Sequence, residues 1–131
     1  MSVVIDDHGF GVADLAESLR ADQIVDLAPD ADAAALTAAV TAAPAMIRVA
    51  FPAFSDGRGF TLGRQLRRLG YAGRLRASGH VLADQYAMAR RSGFDEVAIS
   101  DSLAQRQPAA DWHARSQWQA LDYQSRLRRP A

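Results

Sequence analysis

The sequence predicts a single α/β domain, residues 1–131, built on a parallel sheet of about four or five strands. Three observations predict it. Short β-branched runs alternate with amphipathic stretches of helical period. Glycine or proline closes three of these stretches, at Pro44, Gly70 and Gly93. The unit also repeats at short range: Arg68-Leu69-Gly70-Tyr71 and Arg91-Ser92-Gly93-Phe94 stand in equivalent places 23 residues apart. Strand–helix alternation at that spacing calls for right-handed crossovers and parallel neighbours. An open doubly wound sheet and a half-barrel-like sheet both satisfy it.

Val3-Val4-Ile5 reads as a first strand, ended by Asp6-Asp7-His8-Gly9, and Leu15 and Leu19 lie one helical turn apart in a helix from Ala13 to Arg20. Ile24 to Leu27 is a second strand, stopped by Pro29. A helix from Asp32 to Ala43 follows, with Leu36 and Val40 inward and Pro44 beyond its end. Met46 to Phe51 is β-branched and apolar and closes at Pro52, the strongest strand signal in the chain. Thr61 is positioned to cap a helix through Leu69, whose Leu62, Leu66 and Leu69 form one stripe. Strand Arg74 to Ala77, a helix from Val81 to Arg91 and strand Glu96 to Ser100 complete a βαβαβ core over residues 48–100. The tail, residues 103–131, is amphiphilic and reads as a C-terminal helix or arm.

Composition excludes several chemistries. There is no cysteine, so thiolate metal sites, iron–sulfur clusters and cysteine nucleophiles are absent from the chain. There is no lysine, which removes Schiff-base chemistry and the lysine-bearing phosphate loop; all fifteen basic residues are arginine. The three histidines are scattered and give no metal spacing. With neither a long apolar run nor a basic, apolar leader, the chain is expected to be cytoplasmic and not to engage a membrane. Near-zero net charge and aromatics placed at strand starts argue against nucleic acid.

Neutrality conceals an asymmetry. Residues 1–47 carry one arginine against eight acids, whereas residues 48–91 carry nine arginines against Asp56 and Asp84. Either the two segments neutralise one another across the fold, or the basic stretch serves an anionic ligand or acidic partner.

In parallel α/β proteins ligands gather where strands end and helices begin, because N–H groups and helix dipoles converge there. Asp56-Gly57-Arg58-Gly59 occupies such a junction, with two glycines for close backbone approach and one arginine for charge. Asp56 can orient Arg58, and Phe51, Phe54 and Phe60 can wall the site; the alternative is a loop whose Asp–Arg pair fixes its own shape. The next junction adds Arg76, Ser78, Gly79 and His80, a potential proton donor. On adjacent strands Arg58 and Arg76 are expected to reach one anion, with Arg48 or Arg64 as further contributors. Arg74 and Arg76 share one face of their strand. Asp84, followed by Gln85, is either a proton acceptor facing Arg76 or an ordinary helix-dipole partner.

From Phe51 to Val97 the chain resembles a bacterial family of unknown function. Its members are described as oxidoreductases of sulfite reduction because their genes lie beside those of sulfite reductase. The residues that carry the resemblance are Phe51-Pro52-x-Phe54-x-Asp56-Gly57-Arg58-Gly59, Leu66-Arg67, Gly70-Tyr71-x-Gly73-x-Leu75-Arg76-Ala77-x-Gly79, Val81-Leu82-x-Asp84-Gln85 and Arg91-x-Gly93-Phe94-Asp95. This chain has Ser92 where members often carry cysteine and His80 where they often carry an acid. The resemblance implies a place in sulfur assimilation, with sulfite, a related oxyanion or a sulfite reductase component as partner. Such a protein needs no intrinsic cofactor. The alternatives are a flavin- or nucleotide-dependent oxidoreductase holding the cofactor phosphate in the Asp56 to Gly59 loop, and a non-catalytic interaction module, as in a homodimer. The absence of a G-x-G-x-x-G run counts against nicotinamide.

Overall fold

The computed structural model describes residues 2–7, 9–10, 19–53 and 55–106. In chain order the elements are β1 (Ser2–Asp6), β2 (Gly9–Phe10), β3 (Ile24–Leu27), α1 (Ala33–Thr41), β4 (Met46–Phe51), α2 (Arg58–Arg68), β5 (Arg74–Gly79), α3 (Tyr86–Arg91), β6 (Glu96–Ser100) and α4 (Asp101–Arg106). Short 3-10 turns precede β3 and α3. The strands form one sheet in the order β2-β1-β6-β5-β4-β3. Strands β3 to β6 run parallel, while β1 runs antiparallel to both β6 and β2.

Within the parallel set each strand lies beside its predecessor, so all three crossovers step in one direction. Right-handed crossovers that never reverse place every connecting helix on the same face. The core agrees: Leu36, Leu62, Leu66, Tyr86 and Ala89 from the helices pack with Ile47, Val49, Phe51, Leu75, Ala77 and Val97 from the sheet. Of the two predicted architectures the described crossovers therefore match the half-barrel-like one, and none of the described connecting helices lies on the opposite sheet face.

Three details differ from expectation. The first strand joins antiparallel at the free edge of β6, pairing Ile5 with Val97, and the two-residue β2 extends that edge. An antiparallel ladder satisfies the backbone there without a crossover. Helix α2 begins at Arg58, before Thr61, because Asp56 accepts the Arg58 N–H at 3.2 Å and Gly59 lets the first turn close against β4. The predicted Val81–Arg91 helix is shortened by the 3-10 turn Ala83–Gln85, in which the Gln85 side chain accepts the Leu82 N–H at 2.9 Å. The predicted helix over residues 13–20 lies almost wholly outside the described residues, as does the tail beyond α4.

A clasp fixes the N-terminal end of the parallel strands. Arg67 donates from Nε to the Gly93 carbonyl at 2.9 Å, from Nη1 to the carbonyls of Tyr71 and Gly73 at 2.9 and 2.8 Å, and from Nη2 to Asp95 at 3.0 Å. The same Asp95 oxygen accepts the Leu75 N–H at 2.9 Å, and the Arg67 guanidinium lies 5.6 Å from the Tyr71 ring centre. A planar fork with several donors can bridge two loops through four acceptors at once, which a point charge cannot. Much of the run from Leu66 to Asp95 is thereby accounted for by architecture.

Candidate functional site

Side chains alternate along a strand, so the residues between core positions on β3 to β6 face away from the helices. One register row on that face is charged throughout: Asp26 pairs with Arg48, Arg48 with Arg76, and Arg76 with Glu96. Arg48 binds Asp26 with two bonds, Nε to Oδ1 at 2.5 Å and Nη2 to Oδ2 at 2.7 Å. Arg76 Nη2 donates to Glu96 Oε2 at 2.9 Å, and Arg74 Nε donates to Glu96 Oε1. The row thus holds two guanidiniums in the middle and a carboxylate at each end.

The two ends differ in solvation. The Asp26 side chain is 64% exposed, whereas those of Glu96 and Arg76 are 1% and 3% exposed. Exposed ion pairs contribute about 0–1 kcal/mol, while removing one partner of a buried pair costs about 3–5 kcal/mol. Arg76 is consequently fixed by Glu96, and the Arg48–Asp26 pair is the more exposed of the two.

Above this row, toward the strand C-termini, lies a groove of about 560 Å³ lined by Asp26, Arg48, Arg76, Ser78 and Ser100, with Ala50, Ala98 and Gly79 among its small walls. The C-terminal end of parallel strands is the place where βα architectures gather their ligands. The sequence pointed to Arg48, Arg76, Ser78 and Gly79, which the structure brings together. Asp26, Glu96, Ala50, Ala98 and Ser100 were not foreseen. A charged residue opening the otherwise apolar Glu96 to Ser100 strand was the available signal.

The first junction is organised separately. Asp56 accepts from Arg58 Nε at 2.9 Å and from Nη2 at 2.7 Å. These bonds hold the Asp56 carboxyl below its ordinary range and raise the Arg58 guanidinium. Arg58 does not line the groove that Arg76 lines. A Cβ at Gly59 would stand 2.4 Å from the Phe51 ring, so its glycine is required by packing. A Cβ at Gly57 would make only an ordinary contact, 3.9 Å from the Phe60 ring. Phe51 and Phe60 are core residues with ring centres 4.9 Å apart, and neither lines the groove. Phe54 lies outside the described residues.

The second junction is tied to the first. Gly79 has φ +124°, a Cβ there would meet the Phe51 carbonyl oxygen at 2.5 Å, and that oxygen accepts the His80 N–H at 2.8 Å. His80, Asp84 and Arg64 are exposed and outside the groove lining, and Gln85 serves the turn before α3. Ser92 is buried, its hydroxyl donating to the Met88 carbonyl at 2.7 Å. Among the described residues no three His, Cys, Asp or Glu side chains form a metal site, and no helix is long and apolar enough to cross a membrane.

The family described as bacterial protein of unknown function (DUF934) matches residues 24–131. The chain belongs to this family. No curated protein and no solved structure matches it. The DUF934 match opens at the first residue of β3, so it contains the whole parallel sheet, the clasp and the groove, while β1 and β2 precede it.

Proposed function

We propose that this DUF934 protein is an accessory component of assimilatory sulfite reduction that binds a small oxyanion over Arg48 and Arg76. The carrying observation is the placement of two arginines side by side on neighbouring parallel strands, at the rim of a groove on the sheet face opposite the described connecting helices. Neighbouring strands lie about 4.8 Å apart, and like charges that close disfavour one another. An anion above the midpoint relieves that repulsion and meets both guanidiniums, with the Ser78 hydroxyl as a further donor. The Arg48–Asp26 pair is the more exposed one of the row, so it opposes an anion there less than a buried pair does. The sulfite setting rests on the resemblance carried by Phe51 to Val97. The cofactor-phosphate alternative in the Asp56 to Gly59 loop has less support, since Gly59 serves the Phe51 packing and Asp56 is bonded to Arg58.

Calorimetric titration of sulfite, sulfate and phosphate into wild type, Arg48→Gln and Arg58→Ala tests the reading. Losing a charge-assisted hydrogen bond costs about 1.5–3 kcal/mol, so Arg48→Gln is expected to weaken binding roughly tenfold to hundredfold. Arg58→Ala should leave it unchanged. The reverse dependence would move the anion to the loop, and absent heats with all three anions would remove the anion site.

A further inference from the structure

We infer that the groove takes an organic anion, a phosphate monoester or a sulfonate whose charged head sits on Arg48 and Arg76 and whose uncharged body lies along the groove. This rests on the anion reading above and adds the ligand's class.

The argument begins with space. A four-heavy-atom oxyanion fills roughly the room of two or three waters, at about 30 Å³ each. The groove holds about 560 Å³, which falls within the range of about 300–1,000 Å³ typical of sites for whole small molecules. A bare oxyanion on the arginine row leaves most of that volume to solvent.

The walls then describe the rest of the ligand. The register row next to the arginines, on the C-terminal side, is Ala50, Ser78 and Ala98. Three small side chains on three consecutive strands leave the groove open where larger ones would fill it. Among the described residues every charged side chain lining the groove belongs to the row of Asp26, Arg48 and Arg76, and beyond it stand the hydroxyls of Ser78 and Ser100 and apolar groups. One end of the groove therefore recognises charge and the other accepts a neutral body with at most hydroxyl contacts. Dianionic ligands with charges at both ends find no second cation among these lining residues.

The test is calorimetry with inorganic phosphate, phenyl phosphate, sulfate and benzenesulfonate, on wild type and Ala50→Leu. Ala50 is exposed at the groove, so leucine there occupies the body's space without disturbing the core. Burying the ring's apolar surface should make at least one organic anion bind about tenfold tighter than its inorganic counterpart. Ala50→Leu should abolish that gain while leaving phosphate and sulfate as in wild type, and the larger of the two gains identifies the head group. If the organic anions bind no tighter, or if Ala50→Leu leaves the gain intact, the inference is overturned and the anion site stands. If none of the four gives heat, the anion site falls and the inference with it.

Discussion

Asp26 and Glu96 close the two ends of one charged row, yet solvent gives them opposite duties. Both oxygens of Glu96 are taken by arginines in a nearly dry setting, so Glu96→Gln is expected to destabilise the fold by roughly 3 kcal/mol, measured by urea denaturation. Asp26 is mostly in water, so Asp26→Asn should change stability by less than about 1 kcal/mol. It should instead raise oxyanion affinity in the same titration, by removing the ligand's rival for Arg48. Equal destabilisation by the two variants would show that the exposed pair is as structural as the buried one. The individual arginines at positions 48 and 76 were legible in the sequence because their strands were. Their carboxylate partners were not, because pairing depends on strand register, which no local pattern around Asp26 or Glu96 specifies.

At the scale of elements, β1 is anchored to α3 through its following turn. Tyr86 is fully buried and donates its hydroxyl to Asp7 Oδ1 at 2.6 Å, while Arg90 Nη2 reaches Asp7 Oδ2 at 3.2 Å. Burial, and then the bond to Asp7, push the Tyr86 phenol far above its ordinary value of 10.0. A group that holds its proton more tightly in the fold stabilises it below the unfolded value and loses that contribution as pH rises toward the folded one. Stability measured by urea denaturation at about pH 8 and about pH 11 should therefore fall in wild type and fall less in Tyr86→Phe. Tyr71, raised mainly by burial, leaves a residual decline in the variant. An identical decline in both proteins would assign the alkaline sensitivity elsewhere. The strands β3 to β6 and helix α1 could be read from period and punctuation. The orientation of β1 and the early start of α2 could not, because one depends on a vacant edge far along the chain and the other on the fit of Gly59 beneath Phe51.

Across the whole molecule the two ends of the parallel sheet divide the labour. The Arg67 clasp holds the N-terminal end, and the charged row and groove open toward the C-terminal end. Arg67→Ala should lower stability by roughly 2–4 kcal/mol in denaturant while leaving oxyanion affinity unchanged, and Arg48→Gln should do the converse. Loss of both properties in either variant would show that the ends are coupled. Sequence composition located the arginines but could not sort them into these roles, since Arg67 and Arg76 look alike until the fold sends one to the loops and the other to the sheet face that bears the charged row. The antiparallel β1 has a further consequence for growth. β2 forms one edge of the described sheet and β3 the other, and a further strand can pair at the β3 edge. A strand arriving there would lie beside Asp26 and Leu27, which line the groove, so any extension of the sheet would also be felt by whatever the arginines hold.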